Sequence, residues 1–239
     1  MELLMDIGVG ILLFHIMTIF FIINSLNRGI FMSKLITHYQ NLYHQYGPGP
    51  EAVQYSNFES QNARFEILTQ IDNELNSILD IGCGLADLWA FIRSKGDKSL
   101  YLGLDIVPEF IKFANERFDD DSKAQLVSSL DPLPLGYDYA ILSGVFNNKI
   151  DNNWEFMTDT LKSMFKACNK GISFNAMSLY VDYFDPDLFY VDPAKVLDFC
   201  KKDLGGYPVL RHDYILSKDG FPFEFVIYVY KSPNFFGDL

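Results

Sequence analysis

The chain has 239 residues, of which 49% are hydrophobic and 21% are charged, so it can bury a sizeable core and global disorder is excluded. Nineteen Lys and Arg residues against thirty-one Asp and Glu residues give a net charge of -12, which argues against a general nucleic-acid binder because such a protein needs a cationic surface. The three cysteines (Cys83, Cys168 and Cys200) are an odd number and lie at no metal-ligand spacing, so we predict a reducing compartment and no metal site.

The first 31 residues form a segment separate from the rest, which we expect to be one domain over residues 32–239. Ile7–Ile23 is uncharged and apolar, and at ~1.5 Å per helical residue it would span roughly 26 Å, slightly short of a ~30 Å hydrocarbon core. It is either a membrane anchor or a non-native extension upstream of Met32, whereas a buried core helix is disfavoured because the segment has no polar face. For an anchor, Arg28 and Lys34 would keep the domain in the cytoplasm, at the inner face of the membrane.

The remaining chain alternates helical and strand patterns. Helices are predicted over Met32–Tyr46, Ser60–Asn76, Leu85–Ser94, Pro108–Phe118, Trp154–Lys170 and Pro193–Leu204. Strands are predicted over Ser77–Asp80, Leu100–Asp105, Ala124–Val127, Tyr137–Ser143, Gly171–Asn175, Val209–Ile215 and Phe223–Tyr230, the last two joined by a turn at Lys218-Asp219-Gly220. The alternation predicts an α/β fold with a mainly parallel, doubly wound sheet, helices on both faces and an antiparallel hairpin at the C-terminus.

A glycine-rich turn follows the first predicted strand, in the run DIGCGLAD from Asp80 to Asp87. Its two glycines, Gly82 and Gly84, allow a tight turn and a close approach of the backbone to a ligand. A dinucleotide fingerprint would need Gly or Ala where Asp87 stands, and the two carboxylates of this run would repel a pyrophosphate but suit a cationic ligand. Asp105 ends the second strand, where a carboxylate can accept hydrogen bonds from both ribose hydroxyls.

This order of strand, acid, glycine pair, helix, strand and acid resembles the class I S-adenosylmethionine (SAM)-dependent methyltransferases. Asp80, Gly82 and Gly84 match the first motif of that family, with Ala86 in place of its frequent third glycine. The resemblance extends from about Ser77 to Tyr230 and implies a seven-stranded sheet with a reversed final hairpin, SAM as the cofactor and methyl transfer as the reaction.

The resemblance also implies roles for residues after later strands. Asp105 matches the ribose-binding acid, Ile106 the apolar residue beside the adenine, and Tyr137–Asn147 the fourth strand with a loop along the methionine part of the cofactor. The family's usual Gly-Asp after strand three is absent, and Ser128 stands near that position. The cofactor-binding residues implied are Arg64, Asp80, Gly82, Cys83, Gly84, Asp87, Asp105, Ile106, Ser128, Ser143 and Gly144.

Two of these residues allow a second interpretation. Arg64 lies in a stretch that looks like the lead-in helix of small bacterial members, so it could bind the cofactor carboxylate as a bidentate donor, or it could be an exposed helix arginine. Cys83 is interpreted as a small filler rather than a nucleophile, because the flanking carboxylates would raise the pKa of its thiol.

Candidates for binding the methyl acceptor lie late in the chain. His212, placed on the sixth strand, could be a general base or a packed histidine bonded to a carbonyl. The aromatic loop, Leu179–Val191, could be a lid over an apolar or cationic acceptor or a hydrophobic plug. The candidate substrate-binding residues are Tyr180, Tyr183, Tyr190 and Tyr214.

The acceptor class is predicted from an absent motif and from the charge. The amino-nucleobase motif of DNA methyltransferases is missing after the fourth strand, where Ser143–Asn147 reads SGVFN. Together with the acidic charge this favours a small-molecule acceptor, or a lipid-like one if the anchor is real, with no nucleic acid as partner. The alternatives are an RNA or protein methyltransferase and a non-catalytic SAM-binding module.

Overall fold

A computed structural model describes residues 32–119, 121, 124–127, 133–216, 220 and 223–233. The chain divides into two units, Met1–Asn41 and Leu42–Leu239. The predicted anchor Ile7–Ile23, the candidate Ser128 and most of the Lys218–Gly220 turn lie outside the described residues. Among the residues that are described, no helix combines the length and apolar character needed to cross a bilayer.

Helices and strands alternate along the described chain much as the sequence predicts. Residues 32–46 form α1, and a short 3-10 helix follows at Pro50–Val53. The other helices are α2 (Phe58–Thr69), α3 (Asp87–Ser94), α4 (Pro108–Arg117), α5 (Asn153–Ala167) and α6 (Pro193–Lys202). The strands are β1 (Ser77–Ile81), β2 (Leu100–Leu104), β3 (Ala124–Val127), β4 (Tyr137–Leu142), β5 (Cys168–Ser178), β6 (Tyr190–Val191), β7 (Tyr207–Arg211) and β8 (Glu224–Tyr230).

The strands form one sheet in the order β3-β2-β1-β4-β5-β8-β7, with the two-residue β6 paired to the end of β5. β3, β2, β1, β4 and β5 run parallel, whereas β8 is antiparallel to both β5 and β7. This confirms the predicted doubly wound, mainly parallel sheet with its antiparallel C-terminal hairpin. Because the strand order reverses between β1 and β4, a crevice opens at their carboxyl ends, where ligands bind in open α/β sheets.

Successive residues of the central strands point into two apolar layers, one on each side of the sheet. Leu79 and Ile81 of β1 pack in a layer that includes Leu161 of α5, whereas Ile78 packs in a layer that includes Trp89 of α3. Since side chains alternate along a strand, a strand covered by helices on both faces must be apolar at nearly every position. The near-continuous apolar runs of the sequence therefore place β1 and β4 in the middle of the sheet.

Several predicted elements end at residues other than the predicted ones, and two helices show the physical reason. α2 ends at Thr69 rather than Asn76, although Ile71 and Leu75 beyond it are buried. These apolar residues are spaced as in a helix because they are buried, although the chain there is not helical. In the last turn of α2, the Thr69 hydroxyl donates to the Phe65 carbonyl at 2.8 Å. Similarly, the predicted fifth helix stops at Ala167, because Cys168 already begins the long strand β5.

The prediction for β7 was wrong in its position. It spans Tyr207–Arg211 rather than Val209–Ile215, since its register follows the pairing of Tyr207 with Tyr230 and of Arg211 with Val226. Beyond Arg211 the chain turns, and the Arg211 guanidinium forms an ion pair with Asp213 at 2.8 Å. His212 therefore follows the end of β7 instead of lying within it.

Candidate functional site

The glycine turn after β1 is a left-handed segment pressed against the loop after β4. Gly82, Gly84 and Ala86 have φ angles of 72°, 54° and 59°. The amide of Gly82 donates to the Leu104 carbonyl at 2.8 Å, which ties the turn to the end of β2. A Cβ on Gly82 would lie 2.4 Å from Val145 Cγ2, so only glycine fits there. The turn thereby brings bare backbone to the crevice between β1 and β4.

Two buried carboxylates flank this turn. Tyr101 donates its hydroxyl hydrogen to Asp80 Oδ2 at 2.6 Å. Asp105 accepts from the Gly84 amide through Oδ2 and from the Val107 amide through Oδ1, both at 2.8 Å. Burial raises the pKa of Asp80 to about 7. The hydrogen bond from Tyr101 lowers this pKa, whereas the negative charge of Asp105 raises it further. Burial also raises the pKa of Asp105. Such a site disfavours a further negative charge and favours a cation.

Asp87, the third predicted carboxylate, is bound by the protein itself. Arg117 Nη1 donates to its Oδ1 at 2.6 Å, and Gln61 Nε2 donates to its Oδ2 at 3.3 Å. Asp87 is the first residue of α3, so these bonds join α3 to α4 and α2. Gln61 was missed in the sequence, and its Oε1 is buried without a hydrogen-bond partner among the described residues.

Cys83 fills space behind the turn. Its thiol is buried, and burial, together with the charges of Asp105 and Asp80, raises the thiol pKa well above its usual value. A Cβ on Gly103 of β2 would lie 2.8 Å from Cys83 Sγ, so the sulfur packs directly on the strand. A protonated, enclosed thiol of this kind is a poor nucleophile.

Arg64 is buried, so its interpretation as an exposed helix arginine was wrong. Its Nε donates to Glu224 Oε2 at 2.9 Å, and its Nη1 donates to the Ser60 carbonyl at 3.0 Å. Glu224 Oε1 in turn accepts from the Tyr214 hydroxyl at 3.1 Å and from Asn175 Nδ2 at 3.3 Å. The predicted cofactor residue Arg64 and the predicted acceptor residue Tyr214 therefore share one buried carboxylate.

The same network reaches the loop after β4. Asn175 Oδ1 accepts from the Gly144 amide at 2.8 Å, and the Tyr55 hydroxyl lies 2.7 Å from Ser143 Oγ. Tyr55, Asn175 and Glu224 were all missed in the sequence. For Asn175 and Glu224 the signal was present, since each is a polar residue within a predicted strand of mostly apolar side chains.

His212 and Tyr180 come together at the same edge of the sheet. Arg211 pairs with Val226 and Val226 with Asn175, so the residues after β7 lie beside the carboxyl end of β5. The His212 ring centroid is 5.9 Å from that of Tyr180 and 6.3 Å from that of Phe225. His212 Nε2 is buried and makes no hydrogen bond within the described part of the chain.

The aromatic loop carries its rings at the surface. Tyr180 and Tyr183 are 64% and 73% exposed, which a plug beneath the loop would not be. The backbone anchors the loop to the β4 side, because the Phe189 amide donates to the Asn147 carbonyl at 2.8 Å. Tyr190 is partly buried and accepts from the Asp185 amide at 3.1 Å. Tyr180 contacts the His212 ring, Tyr183 and Tyr190 lie further along the same anchored loop, and Tyr214 is bound in the Glu224 network.

Comparisons with known proteins agree with this geometry. No family model matches the chain. The curated protein "Putative methyltransferase Rv1506c" of Mycobacterium tuberculosis is 33% identical over 162 residues, which are 65% of this chain and 93% of that protein.

Solved structures show the same fold at low identity. A magnesium protoporphyrin IX methyltransferase from Synechocystis PCC 6803, solved with bound SAM, has a TM-score of 0.59 and 14% identity, covering 87% of this chain and 96% of that chain. A SAM-dependent methyltransferase from Archaeoglobus fulgidus has a TM-score of 0.55 and 17% identity, covering 74% of this chain and 96% of that chain.

Proposed function

The chain belongs to the class I SAM-dependent methyltransferases, and we propose that it transfers the methyl group of SAM to a small-molecule acceptor. One observation carries the proposal: a single edge of the sheet holds both the acidic glycine turn and the unpartnered, ring-flanked His212 Nε2. For a direct transfer the acceptor must reach the sulfonium methyl group. β4, β5 and β8 lie between β1 and β7, so an acceptor beside His212 would extend along the carboxyl end of β5 toward the glycine turn.

The residues of the turn fit a cationic nucleoside. Asp105 uses one lone pair of each oxygen for backbone amides, so both oxygens can still accept from ribose hydroxyls. Ile106 follows directly and offers a half-buried apolar side chain for the adenine. Asp80, whose pKa burial raises to about 7, stabilises positive charge when it is ionised. SAM supplies an activated methyl group, so the chain's own residues bind and align the substrates, exclude water and accept the proton that the acceptor loses.

His212 is the proposed proton acceptor for the second substrate. Its Nε2 makes no hydrogen bond among the described residues, so it can take the proton of an acceptor hydroxyl or amine as that group attacks. Tyr180 and Phe225 hold the imidazole between rings, which favours a flat or apolar acceptor beside it. The net charge of -12 supports a small molecule rather than a nucleic acid.

A turnover screen tests the proposal. The full chain is incubated with SAM and with metabolite, RNA and protein fractions, and methylated products are identified by mass. We expect product in the metabolite fraction, and His212→Gln should lower turnover by about a hundredfold or more while leaving the affinity for S-adenosylhomocysteine unchanged. His44→Gln, at an exposed position of α1, is the matched control.

Each of the other outcomes of this screen contradicts a different part of the proposed function. Product in the RNA or protein fraction would refute the small-molecule acceptor. Cofactor binding without turnover in any fraction would indicate a non-catalytic SAM-binding module. Full turnover by His212→Gln would refute the role of His212 alone.

A further inference from the structure

The outer surface of α5 and α6 differs in charge from the chain as a whole. These two helices carry five lysines and three carboxylates, whereas the chain has 19 basic residues against 31 acidic ones. All five lysines are exposed: Lys162, Lys166, Lys195, Lys201 and Lys202. This surface of α5 and α6, the lysine face, therefore presents an excess of positive charge on an acidic protein.

The lysine face is continuous across the two helices. Leu161 of α5 and Val196 of α6 belong to the same apolar layer, so both helices cover the same side of the sheet. The Trp154 ring of α5 lies edge-on to the Phe199 ring of α6, with their centroids 5.9 Å apart. A flat partner can therefore contact both helices at once.

The lysines of this face lie mostly over aromatic rings. Three ammonium groups sit above ring centroids: Lys195 over Trp154 at 3.8 Å, Lys201 over Tyr207 at 4.3 Å and Lys162 over Phe199 at 5.8 Å. Lys202 instead forms an ion pair with Asp198 at 2.7 Å. A lysine that lies on a ring covers apolar surface with its methylene groups and holds its charge at the boundary with water.

Apolar surface is open beside these ammonium groups. A groove of about 610 Å³ lies between α6 and β7, and its lining includes Leu197, Tyr207 and Val209. Tyr207 and Val209 are exposed. Lysines interleaved with aromatic and aliphatic side chains are typical of protein surfaces that lie at a membrane interface.

We propose that the lysine face docks on a membrane surface that carries anionic lipid headgroups. The negative potential of such a surface attracts nearby lysines, and the exposed Tyr207 and Val209 contact the apolar boundary below the headgroups. The same potential repels the acidic remainder of the chain, so the docked molecule is oriented with α5 and α6 toward the lipid. This inference does not depend on the proposed function.

The kind of basic residue favours a bilayer over a nucleic acid. Neither α5 nor α6, both described throughout, contains an arginine. The planar fork of arginine suits discrete phosphates, whereas a fluid layer of headgroups needs only point charges on flexible stems. Trp154 and Phe199 also lie beneath lysines, so their faces are not open to stack on bases.

The chain carries its own probe of this face. It has two tryptophans, of which Trp154 is half-buried on α5 and Trp89 is fully buried in the apolar layer on the other side of the sheet. The full chain is mixed with vesicles of phosphatidylcholine alone or of phosphatidylcholine with phosphatidylglycerol, both with brominated acyl chains that quench tryptophan fluorescence. We expect quenching by the anionic vesicles only, and its loss in Trp154→Phe. Attachment through another segment does not by itself bring Trp154 to the lipid.

Substitution of two lysines tests the role of charge. Lys162→Gln combined with Lys201→Gln leaves Lys195 in place over Trp154, and it should weaken binding to anionic vesicles about tenfold or more. Added NaCl should weaken the binding of the unaltered chain, because salt screens the attraction.

A matched pair of lysines on the opposite side of the sheet is the control. Lys95→Gln combined with Lys112→Gln removes two exposed lysines, one at the end of α3 and one on α4, and should leave vesicle binding unchanged. Unfolding temperatures verify that all variants fold. The affinity for S-adenosylhomocysteine should be the same in both double variants, since neither alters the crevice.

Four outcomes would overturn the inference. Quenching by both vesicle types would show association without recognition of charge, and quenching by neither would show that the face does not reach lipid. Equal weakening in the two double variants would mean that only the net charge matters. A change in Trp154 emission with single-stranded RNA but not with anionic vesicles would identify a nucleic acid as the partner. The proposed function fails on a separate result, the absence of binding to SAM and S-adenosylhomocysteine.

Discussion

The proposed site has a cofactor half and an acceptor half, which are built in different ways. At the cofactor half, the glycine turn is left-handed, and backbone amides bind both oxygens of Asp105. At the acceptor half, Tyr180 and Tyr183 are exposed, and His212 Nε2 has no partner among the described residues. The first half is formed before any ligand arrives, whereas the second keeps groups ready for contacts that a ligand must supply.

This difference predicts different consequences of substitution. The hydrogen bonds that form the turn stabilise the folded state and also shape the binding site. Substitutions in the turn should therefore lower both the free energy of unfolding and the ligand affinity. A half with exposed rings and a free imidazole nitrogen contributes little to folding, so changes there should affect turnover alone. The experiments below sharpen this comparison at the cofactor half.

The largest effect is expected for Gly82→Ala. Alanine at this position would have to adopt the left-handed φ of 72°, and its Cβ would lie 2.4 Å from Val145 Cγ2. The left-handed conformation costs roughly 1–2 kcal/mol, and overpacking adds about 1–3 kcal/mol. We expect the free energy of unfolding, measured in urea, to fall by about the sum of these costs, and the affinity for S-adenosylhomocysteine to fall with it.

Gly96→Ala is the matched control for this change. Gly96 has a φ of 78°, but nothing lies within 4 Å of its added Cβ, so only the conformational cost applies. Its affinity should be unchanged and its loss of stability roughly 1–2 kcal/mol. Equal losses in the two variants would mean that the turn is not packed against the loop after β4.

The same comparison explains how far the sequence predicted the structure. The turn, the strands around it and Asp105 were predictable because apolar periodicity and the positions of Gly82 and Gly84 are local signals. The end of β7 was not, since pairing with β8 sets its register and leaves His212 beyond the strand. Local patterns thus located the cofactor half better than the acceptor half.

The partners of the charged residues could not be predicted. Arg64 and Glu224 lie 160 residues apart, and Asp87 and Arg117 lie 30 apart, so only the folded sheet brings them together. No periodicity in one sequence encodes such a pairing. A glutamate in an otherwise apolar strand could only indicate that a buried partner exists.

A smaller effect is expected for Asp105→Ala. Loss of the ribose contact should weaken binding of S-adenosylhomocysteine about ten- to a hundredfold, equivalent to ~1.4–2.8 kcal/mol. The unfolding temperature should fall as well, because the amides of Gly84 and Val107 lose their acceptor. Asp198→Ala, at a carboxylate on the surface of α6, should change neither quantity. Unchanged affinity in Asp105→Ala would refute the ribose assignment.

The smallest effect is a pH dependence arising from Asp80. Its pKa, raised by burial to about 7, means that the carboxyl is ionised at pH 8 and protonated at pH 6 in the free protein. A cationic ligand binds the ionised form better, so binding releases a proton and affinity rises with pH through about 7. SAM carries a sulfonium charge that S-adenosylhomocysteine lacks. The ratio of their affinities should therefore fall on acidification from pH 8 to pH 6, by up to roughly tenfold.

Asp80→Asn separates this titration from other effects of pH. The amide does not ionise and still accepts from the Tyr101 hydroxyl, so the affinity ratio of the two ligands should become flat between pH 6 and pH 8. The pH dependence of the free energy of unfolding, measured without ligand, tests the same titration independently. Because the folded state binds the Asp80 proton more tightly than the unfolded state does, the free energy of unfolding should fall as pH rises from about 4 to about 7. Asp80→Asn should lose the part of this pH dependence that comes from Asp80. If the free energy of unfolding varies with pH in the same way in both proteins, Asp80 is ionised at neutral pH, and the cofactor half tolerates its buried charges without a cation.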